Sequence, residues 1–470
     1  MDRLCSKTGG VPSVSDTLDV LVVGAGACGM AAAIAAHDAG AQVAIVEKLD
    51  RPGGNSSLST GSVPAANSRF QRAAGLVDSP QAMVKDLMHI AGGDTDDLAL
   101  VERMAEVSAE TVEWLIDTVK ARMVLITAYK HIGHSVQRLH APQSRRGQDL
   151  VNDFLAALEA RAIPLAVGNG VEDLLIDKGA VVGARIRSSE GVVEMKARKV
   201  ILAVNGFAAD PDLVKEFCPE IAGAQYFGAR GSHGDAIRWG RALNAALANM
   251  GAYQGYAAVA YPHGSLLSWT TIEKGGILVG QNSQRFGDES LGYSGYARVV
   301  LEQGAFAYAI FDQNIFDVAA LEEEFMELVS YGGVKKADDV KTLAGFFELD
   351  AHTLEKTLAD YNKAAAAAQP DSFGRHVFGL APLRAPYYMC RVVPGLFHTQ
   401  GGLKVDRDAR VLNQQGTPIA NLFAGGGAAA GISGRKGALG YASGNGLLTA
   451  IALGRLAGLA AARELNAGVG

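Results

Sequence analysis

The chain has 470 residues, 49% of them hydrophobic and 20% charged, the balance of a globular protein of about two or three domains rather than a disordered or fibrous one. A net charge of −6 with no basic run argues against a nucleic-acid partner. The four cysteines, Cys5, Cys28, Cys218 and Cys390, form no CxxC pair and no zinc spacing, so the reading is no metal site and a reducing compartment, the cytoplasm.

Residues 1–17 are polar and lack the apolar centre of a secretory leader. Residues 19–48, DVLVVGAGACGMAAAIAAHDAGAQVAIVEK, then read as a strand, a glycine turn, a helix over 28–39 and a second strand ending in Glu47. Gly24, Gly26 and Gly29 suit a tight turn, close approach of a pyrophosphate, and packing of the helix on the strand. Glu47 lies 23 residues past Gly24, where a carboxylate can take the hydroxyls of an adenosine ribose. The helix points its positive end at the pyrophosphate. Cys28, inside the turn, reads as a small packing residue.

A Gly/Ser loop follows over 51–66, then helical periodicity over 81–91, 98–119 and 149–161. His131, His134 and His140 lack metal spacing and read as loop residues. Residues 170–188 and 191–196 alternate like a meander turning near Lys178-Gly179, and KVILAVNGF (199–207) reads as a buried strand ending in a glycine turn. Residues 261–393 are richer in aromatics, with a strand-turn-strand over 275–286 and long helices over 317–328 and 351–368. From Gly401 short strands return (GGLKVD, ARVLN, NLFA) and lead to a second glycine motif, NLFAGGGAAAGISGRKGALGYASGNGLL. Residues 447–462, interrupted by Arg455, read as a buried helix and not a membrane span. The return of the pattern points to a dinucleotide-binding fold split by an insertion: 1–258 and 397–470 around 259–396.

Six motifs occur in order: VGAGACG with Glu47-Lys48, GGNSSLSTG (53–61), AVNGF (203–207), GSHGDAIRWG (231–240), NSQRFGDES (282–290), and HTQGGL (398–403) with the terminal LFAGGG and GNGLL. Together they resemble the fumarate reductase/succinate dehydrogenase flavoprotein superfamily, which includes the ketosteroid dehydrogenases. The resemblance implies an α/β fold: a Rossmann-like FAD-binding domain with an inserted α+β capping domain, mobile over the isoalloxazine. It implies FAD bound at Gly24, Gly26, Ala27, Gly29, Glu47, Lys48, Gly54, Asn55, Ser56 and Gly61. Further contacts fall on Val171, Asn205, Gly206, Asp235, Gly426, Asn445 and Leu447. Asn55 and Ser56 sit in a loop able to wrap pyrophosphate and ribityl, Asp235 can accept from a ribityl hydroxyl, and the helix starting near Asn445 aims its positive end at the flavin. The histidine that carries covalent flavin in some members is absent from the GGNS region, so the FAD is expected to be non-covalent.

In fumarate reductases two arginines donate the proton and clamp the substrate carboxylate. The corresponding positions here are Tyr293 and Tyr441, and the histidine of the HPT motif is displaced in Tyr261-Pro262-His263. A tyrosine matches neither the charge nor the planar fork of arginine. His398 keeps its motif position, and Arg435-Lys436 leave anion binding open. The pattern resembles the ketosteroid dehydrogenase branch, with Tyr441 and Ser443 before the flavin helix and Tyr293 handling a proton, a role for which Tyr296 competes. Phenol donors suit a ketone oxygen and its enolate, although an ionised phenol of ordinary pKa costs about 4 kcal/mol at pH 7. Arg285 and Glu289 read as a structural pair. The expected function is exchange of hydride between flavin and a C–C bond beside a carbonyl, on a cyclic or steroid-like ketone or enone. The alternatives are reduction of an unsaturated acid and an electron-transfer subunit without its own substrate. No haem or iron–sulfur cysteine pattern occurs, so the electron partner is expected to be a separate molecule.

Overall fold

The computed structural model describes residues 17–467. Residues 1–16, with Cys5 and nearly all of the segment read for a leader, and residues 468–470 lie outside the described residues. The chain divides into two compact units, one of Met1–Cys218, Gly228–Tyr253 and His398–Gly470, the other of Pro219–Phe227 and Gln254–Phe397.

In chain order the first unit contains β1 (Leu18–Val23), α1 (Ala27–Asp38), β2 (Val43–Val46), α2 (Gly54–Leu58), α3 (Pro80–Ile90), α4 (Leu98–Trp114), β3 (Leu139–Pro142), α5 (Gly147–Ala160), β4 (Gly170–Asp177), β5 (Ala180–Ser188), β6 (Gly191–Leu202), β7 (Pro418–Ala424) and α6 (Asn445–Ala467). Its main sheet runs Arg410–Leu412, β7, β6, β1, β2, Leu165–Ala166. The β7–β6, β6–β1, β1–β2 and β2–Leu165 pairings are parallel, with Val20 opposite Val43 and Lys199. Strands buried on both faces need continuous apolar runs, which LDVLVV and VAIV supply.

Helix α1 is buried all round from Ala27 to Ala36. Its alanines leave room for α6, whose Gly454 and Gly458 lie one turn apart against it. A β-carbon on either would come within 2.2 Å of a carbonyl oxygen of α1, that of Cys28 or Ala32. α6 is long and apolar enough to cross a bilayer, and 78% of its most apolar window is buried inside the protein. This is what a core helix shows when hydrophobic all round.

Four sequence expectations change in the first unit. The 199–207 strand is the end of the meander itself: β6 pairs with β5 through its first residues and enters the parallel sheet from Lys199 on. It stops at Leu202 because the chain turns at Asn205, whose φ is +72°. The 51–66 loop contains α2, closed by the Ser57 and Ser59 hydroxyls donating to the Gly54 and Ser56 carbonyls. The 98–119 helix forms as expected, but its last five residues, Leu115–Val119, form a π-helical turn. His140 is a buried residue of β3 rather than a loop residue, held by the Ser68 hydroxyl at 3.0 Å and the Arg138 carbonyl at 2.9 Å.

The second unit has a sheet in which Ala307–Asp312 lies antiparallel between Ile277–Val279 and the long Tyr387–Thr399 strand. The expected 275–286 hairpin is a single short strand whose return leg only touches it, at Val279 and Arg285. The expected 317–328 helix is two, Gln313–Ala319 and Glu323–Ser330. It breaks because Glu322 is extended and Leu321 stands 87% exposed, so the buried face restarts at Phe325 and Leu328.

Candidate functional site

The turn between β1 and α1 is built for close approach. Gly24 has φ +106°, and a β-carbon there would lie 2.4 Å from the Ala203 carbonyl oxygen. At Gly29 it would lie 1.8 Å from the Gly24 carbonyl oxygen, so that glycine lets the helix sit on its own turn. At Gly26 it would meet nothing nearer than 3.8 Å. The first turn of α1 carries no acid and no side-chain cap, so its N–H groups and the helix dipole favour an anion. Glu47 accepts from the Ala25 N–H at 2.8 Å and the Leu49 N–H at 2.9 Å, which orients the carboxylate and leaves lone pairs spare.

The glycine loop closes over the same turn. The Ser56 hydroxyl accepts from the Ala27 N–H at 3.2 Å, and Asn55 Oδ1 accepts from the Ala229 N–H at 2.6 Å while its Nδ2 is buried without a partner. Gly54 (φ +51°) is open, whereas Gly61 (φ +69°) abuts Pro142. Lys48 donates to Asp235 at 2.8 Å, and Asp235 also receives Arg238. Val171 is half-buried in β4 opposite Ile186. Asn205 donates to the Ser232 hydroxyl at 2.9 Å, and a β-carbon on Gly206 would lie 2.2 Å from Thr399 Oγ1. Gly426 (φ +59°) packs on Cys28, whose buried thiol is pushed up to about 12.

The C-terminal motif brings a second group together. The rings of His398 and Tyr441 meet edge-to-face at 5.8 Å. Burial lowers the pKa of His398 to about 4, so the imidazole is neutral at pH 7. Gln400 donates to His398 Nδ1 at 3.1 Å, Ser433 donates to Gln400 Oε1 at 3.2 Å, and Asn445 Nδ2 donates to Ser433 Oγ at 3.2 Å. Asn445 and Leu447 open α6. The turn carrying Tyr441 and Ser443 is clamped from residues 132–138. The Ser443 N–H donates to the Ile132 carbonyl at 3.0 Å, and His134 Nε2 donates to the Ser443 carbonyl at 2.9 Å. Behind His134, fully buried Arg138 is bound to Asp78 and Asp86. Arg435 is paired with Asp94 at 3.2 Å and Asp96 at 2.8 Å.

In the second unit, Tyr293 lies on the helix Gly292–Leu301, its ring 5.3 Å from Tyr256, which stacks on Phe397 at 5.5 Å. Tyr256 donates to the Leu267 carbonyl, and burial, with Tyr293 beside it, raises its pKa well above that of a free phenol. Tyr296 is fully buried, stacked on Phe286, its hydroxyl unpartnered and its pKa pushed far up by burial. That burial makes ionising Tyr296 costly. Arg285 and Glu289 pair at 2.6 Å inside a buried network with Arg375 and Asp371.

The sequence matches the FAD binding domain family over residues 19–442. The chain belongs to this family of flavoproteins. It is 30% identical over 467 residues to the NADH:fumarate oxidoreductase of Klebsiella pneumoniae, covering 98% of this chain and 49% of that protein. It thus spans about half the length of that relative. Among solved structures, the open conformation of a flavocytochrome c3 fumarate reductase is similar with a TM-score of 0.84 at 29% identity, covering 96% of this chain and 79% of the other. The 3-ketosteroid-delta4-(5alpha)-dehydrogenase from Rhodococcus jostii in complex with 4-androstene-3,17-dione is similar with a TM-score of 0.75 at 25% identity, covering 97% and 99%.

FAD is accordingly the cofactor of this flavoprotein. The local structure fits the group. Gly26 leaves open the approach that a side chain would fill, the start of α1 has N–H groups to offer an anion, and buried Asn55 Nδ2 is a donor without an acceptor. Sequence reasoning missed Gln400, Ser433, His134 and Arg138. Gln400 and Ser433 stood inside segments already singled out, as polar residues in Gly/Ala-rich runs. The clamp by His134 and Arg138 joins residues more than 300 positions apart and leaves no local pattern.

Proposed function

We propose that this flavoprotein reduces or dehydrogenates a carbon–carbon bond conjugated to a carbonyl, and that its substrate is a cyclic or steroid-like ketone or enone. The observation that carries this reading is the contact of Tyr441 with a neutral His398. Uncharged donors suit a ketone oxygen, whereas a carboxylate calls for a cation. Arg435, the nearby cation of the sequence motif, is already engaged by two aspartates. FAD, when bound, supplies a two-electron hydride acceptor or donor. Tyr441 and Ser443 donate to the carbonyl oxygen and stabilise the enolate. Tyr293 carries the proton, and the aromatic surface of Tyr293, Tyr256 and Phe397 suits an apolar ring system. The FAD is held non-covalently by the residues around Gly26, Glu47, Asn55 and Asn445. The electron partner is a separate molecule, and the three described cysteines, buried and outside any disulfide, support a cytoplasmic setting.

A second reading, reduction of an unsaturated carboxylic acid, is favoured by the likeness to fumarate-reducing proteins. An anaerobic screen of cyclic enones and enoic acids for reoxidation of the reduced flavin separates the two. Enones are expected to respond, and Tyr441→Phe is expected to lower kcat by about 100-fold, while Tyr296→Phe leaves it unchanged. A response confined to carboxylic acids that survives Tyr441→Phe sinks the enone reading.

A further inference from the structure

We propose that Gln400 and Ser433 are positioning residues that hold His398 in its Nε2-protonated tautomer, so that the ring meets substrate as a neutral hydrogen-bond donor. The protons along this buried chain can be counted. Asn445, Ser433 and Gln400 are each no more than 4% exposed, so their polar groups are held away from bulk water. Asn445 Nδ2 can only donate, and it does so to Ser433 Oγ. That oxygen is then the acceptor, and its single proton goes to Gln400 Oε1. With the amide oxygen thus engaged, the Gln400 NH2 faces His398 Nδ1. A ring nitrogen that accepts cannot carry the proton of a neutral imidazole, so the proton sits on Nε2.

The reverse polarity would run His398 Nδ1–H to Gln400 Oε1, Gln400 NH2 to Ser433, and the Ser433 hydroxyl to Asn445 Oδ1. It would strand the two N–H donors of a buried Asn445 amide. The observed polarity leaves Oδ1 and at most one of the two Nδ2 protons unpartnered, the smaller cost, because under-satisfied carbonyl oxygens are better tolerated than orphaned N–H groups. The competing acceptor for a proton on Nδ1, the Thr399 carbonyl, lies further off at 3.4 Å. Close packing holds the rest in place. A β-carbon on Gly431 would lie 2.4 Å from Gln400 Oε1, and one on Gly446 would lie 3.3 Å from the His398 ring.

The tautomer decides what the ring can do: an Nε2–H donates to a carbonyl oxygen, an unprotonated Nε2 repels it. The inference rests on the proposed enone reading for that consequence only. The test is a two-bond proton–nitrogen spectrum of the FAD-loaded protein carrying 15N-histidine, with His398 identified by its absence in His398→Asn. The expected result is a protonated Nε2 and an unprotonated Nδ1. In Gln400→Glu the ionised side chain can only accept, so a proton is expected on Nδ1. In Ser433→Ala the amide is free to turn and both tautomers are expected. In Gln400→Glu, kcat is expected to fall about tenfold or more with KM little changed. A proton on Nδ1 in the unsubstituted protein, or a tautomer indifferent to both substitutions, overturns the proposal. The spectrum needs no substrate. The expected tautomer together with inactivity on enones would therefore overturn the functional reading and leave the positioning role standing.

Discussion

A β-carbon on Gly29 would sit 1.8 Å from a backbone oxygen, while one on Gly26 would meet nothing nearer than 3.8 Å, with a φ of −76° that any residue adopts. The two glycines of one motif therefore answer to different demands, Gly29 to the fold and Gly26 to a ligand. Gly29→Ala is expected to destabilise the protein by about 1–3 kcal/mol, read as a lower denaturant midpoint of the apoprotein. Gly26→Val is expected to fold with a near-unchanged midpoint but to lose bound flavin, read as the ratio of visible to ultraviolet absorbance after purification. Equal flavin content in Gly26→Val and the unsubstituted protein would remove the pyrophosphate assignment. At this scale the sequence was readable where a residue type has few uses, as with a glycine in a tight turn. It was silent on His398, whose neutrality comes from burial and whose proton is set by Gln400, Ser433 and Asn445.

Elements whose surroundings stay the same along their length were legible almost to the residue. The helix expected at 28–39 forms at Ala27–Asp38, and that expected at 351–368 forms at Ala351–Ala367. Where the buried face changes within an element, the pattern misleads. The split at residues 320–322 and the passage of β6 from meander to parallel sheet both depend on what packs alongside. The apolar stretch closing the chain is ambiguous by composition, because a bilayer and a protein core demand the same side chains. Its contact with α1 is specific: Gly458→Val would thrust two methyl groups at the Ala32 carbonyl, 2.2 Å from the β-carbon position. The expected outcome is a loss of about 3 kcal/mol or more, or failure to accumulate folded protein. Recovery by Gly458→Ala should be partial only, since its β-carbon meets the same oxygen. A wild-type midpoint in Gly458→Val would show that the two helices do not touch there.

Across the whole molecule, His131, His134, His140 and His398 are each held near pKa 4, in every case chiefly by burial. The unfolded chain protonates them near 6.5. Between about pH 6.5 and 4 the unfolded state therefore binds more protons than the folded one, and stability rises with pH across that window. Above it both states are neutral at these rings and the contribution is flat. The urea midpoint is accordingly expected to be level from pH 8 to 7 and to fall steeply from pH 6.5 to 4.5. A midpoint unchanged between pH 7 and 5 would mean that these rings are not buried in solution. All four histidines lie in the first unit, so a probe of the second unit alone should report a weaker dependence if the units unfold separately.

The sequence by itself determined the cofactor class and the α/β architecture around it. A strand, a glycine turn and an alanine-rich helix are local, and their spacing is dictated by backbone geometry and by the shape of a pyrophosphate. Only the tertiary structure decided the electrical state of the candidate site. It half-buried His398 and gave its ring a directional hydrogen-bond chain, engaged Arg435 with Asp94 and Asp96, and sealed Tyr296 away. Charge and protonation depend on partners brought from distant parts of the chain and on the loss of water around them, and neither is written in the spacing of a motif.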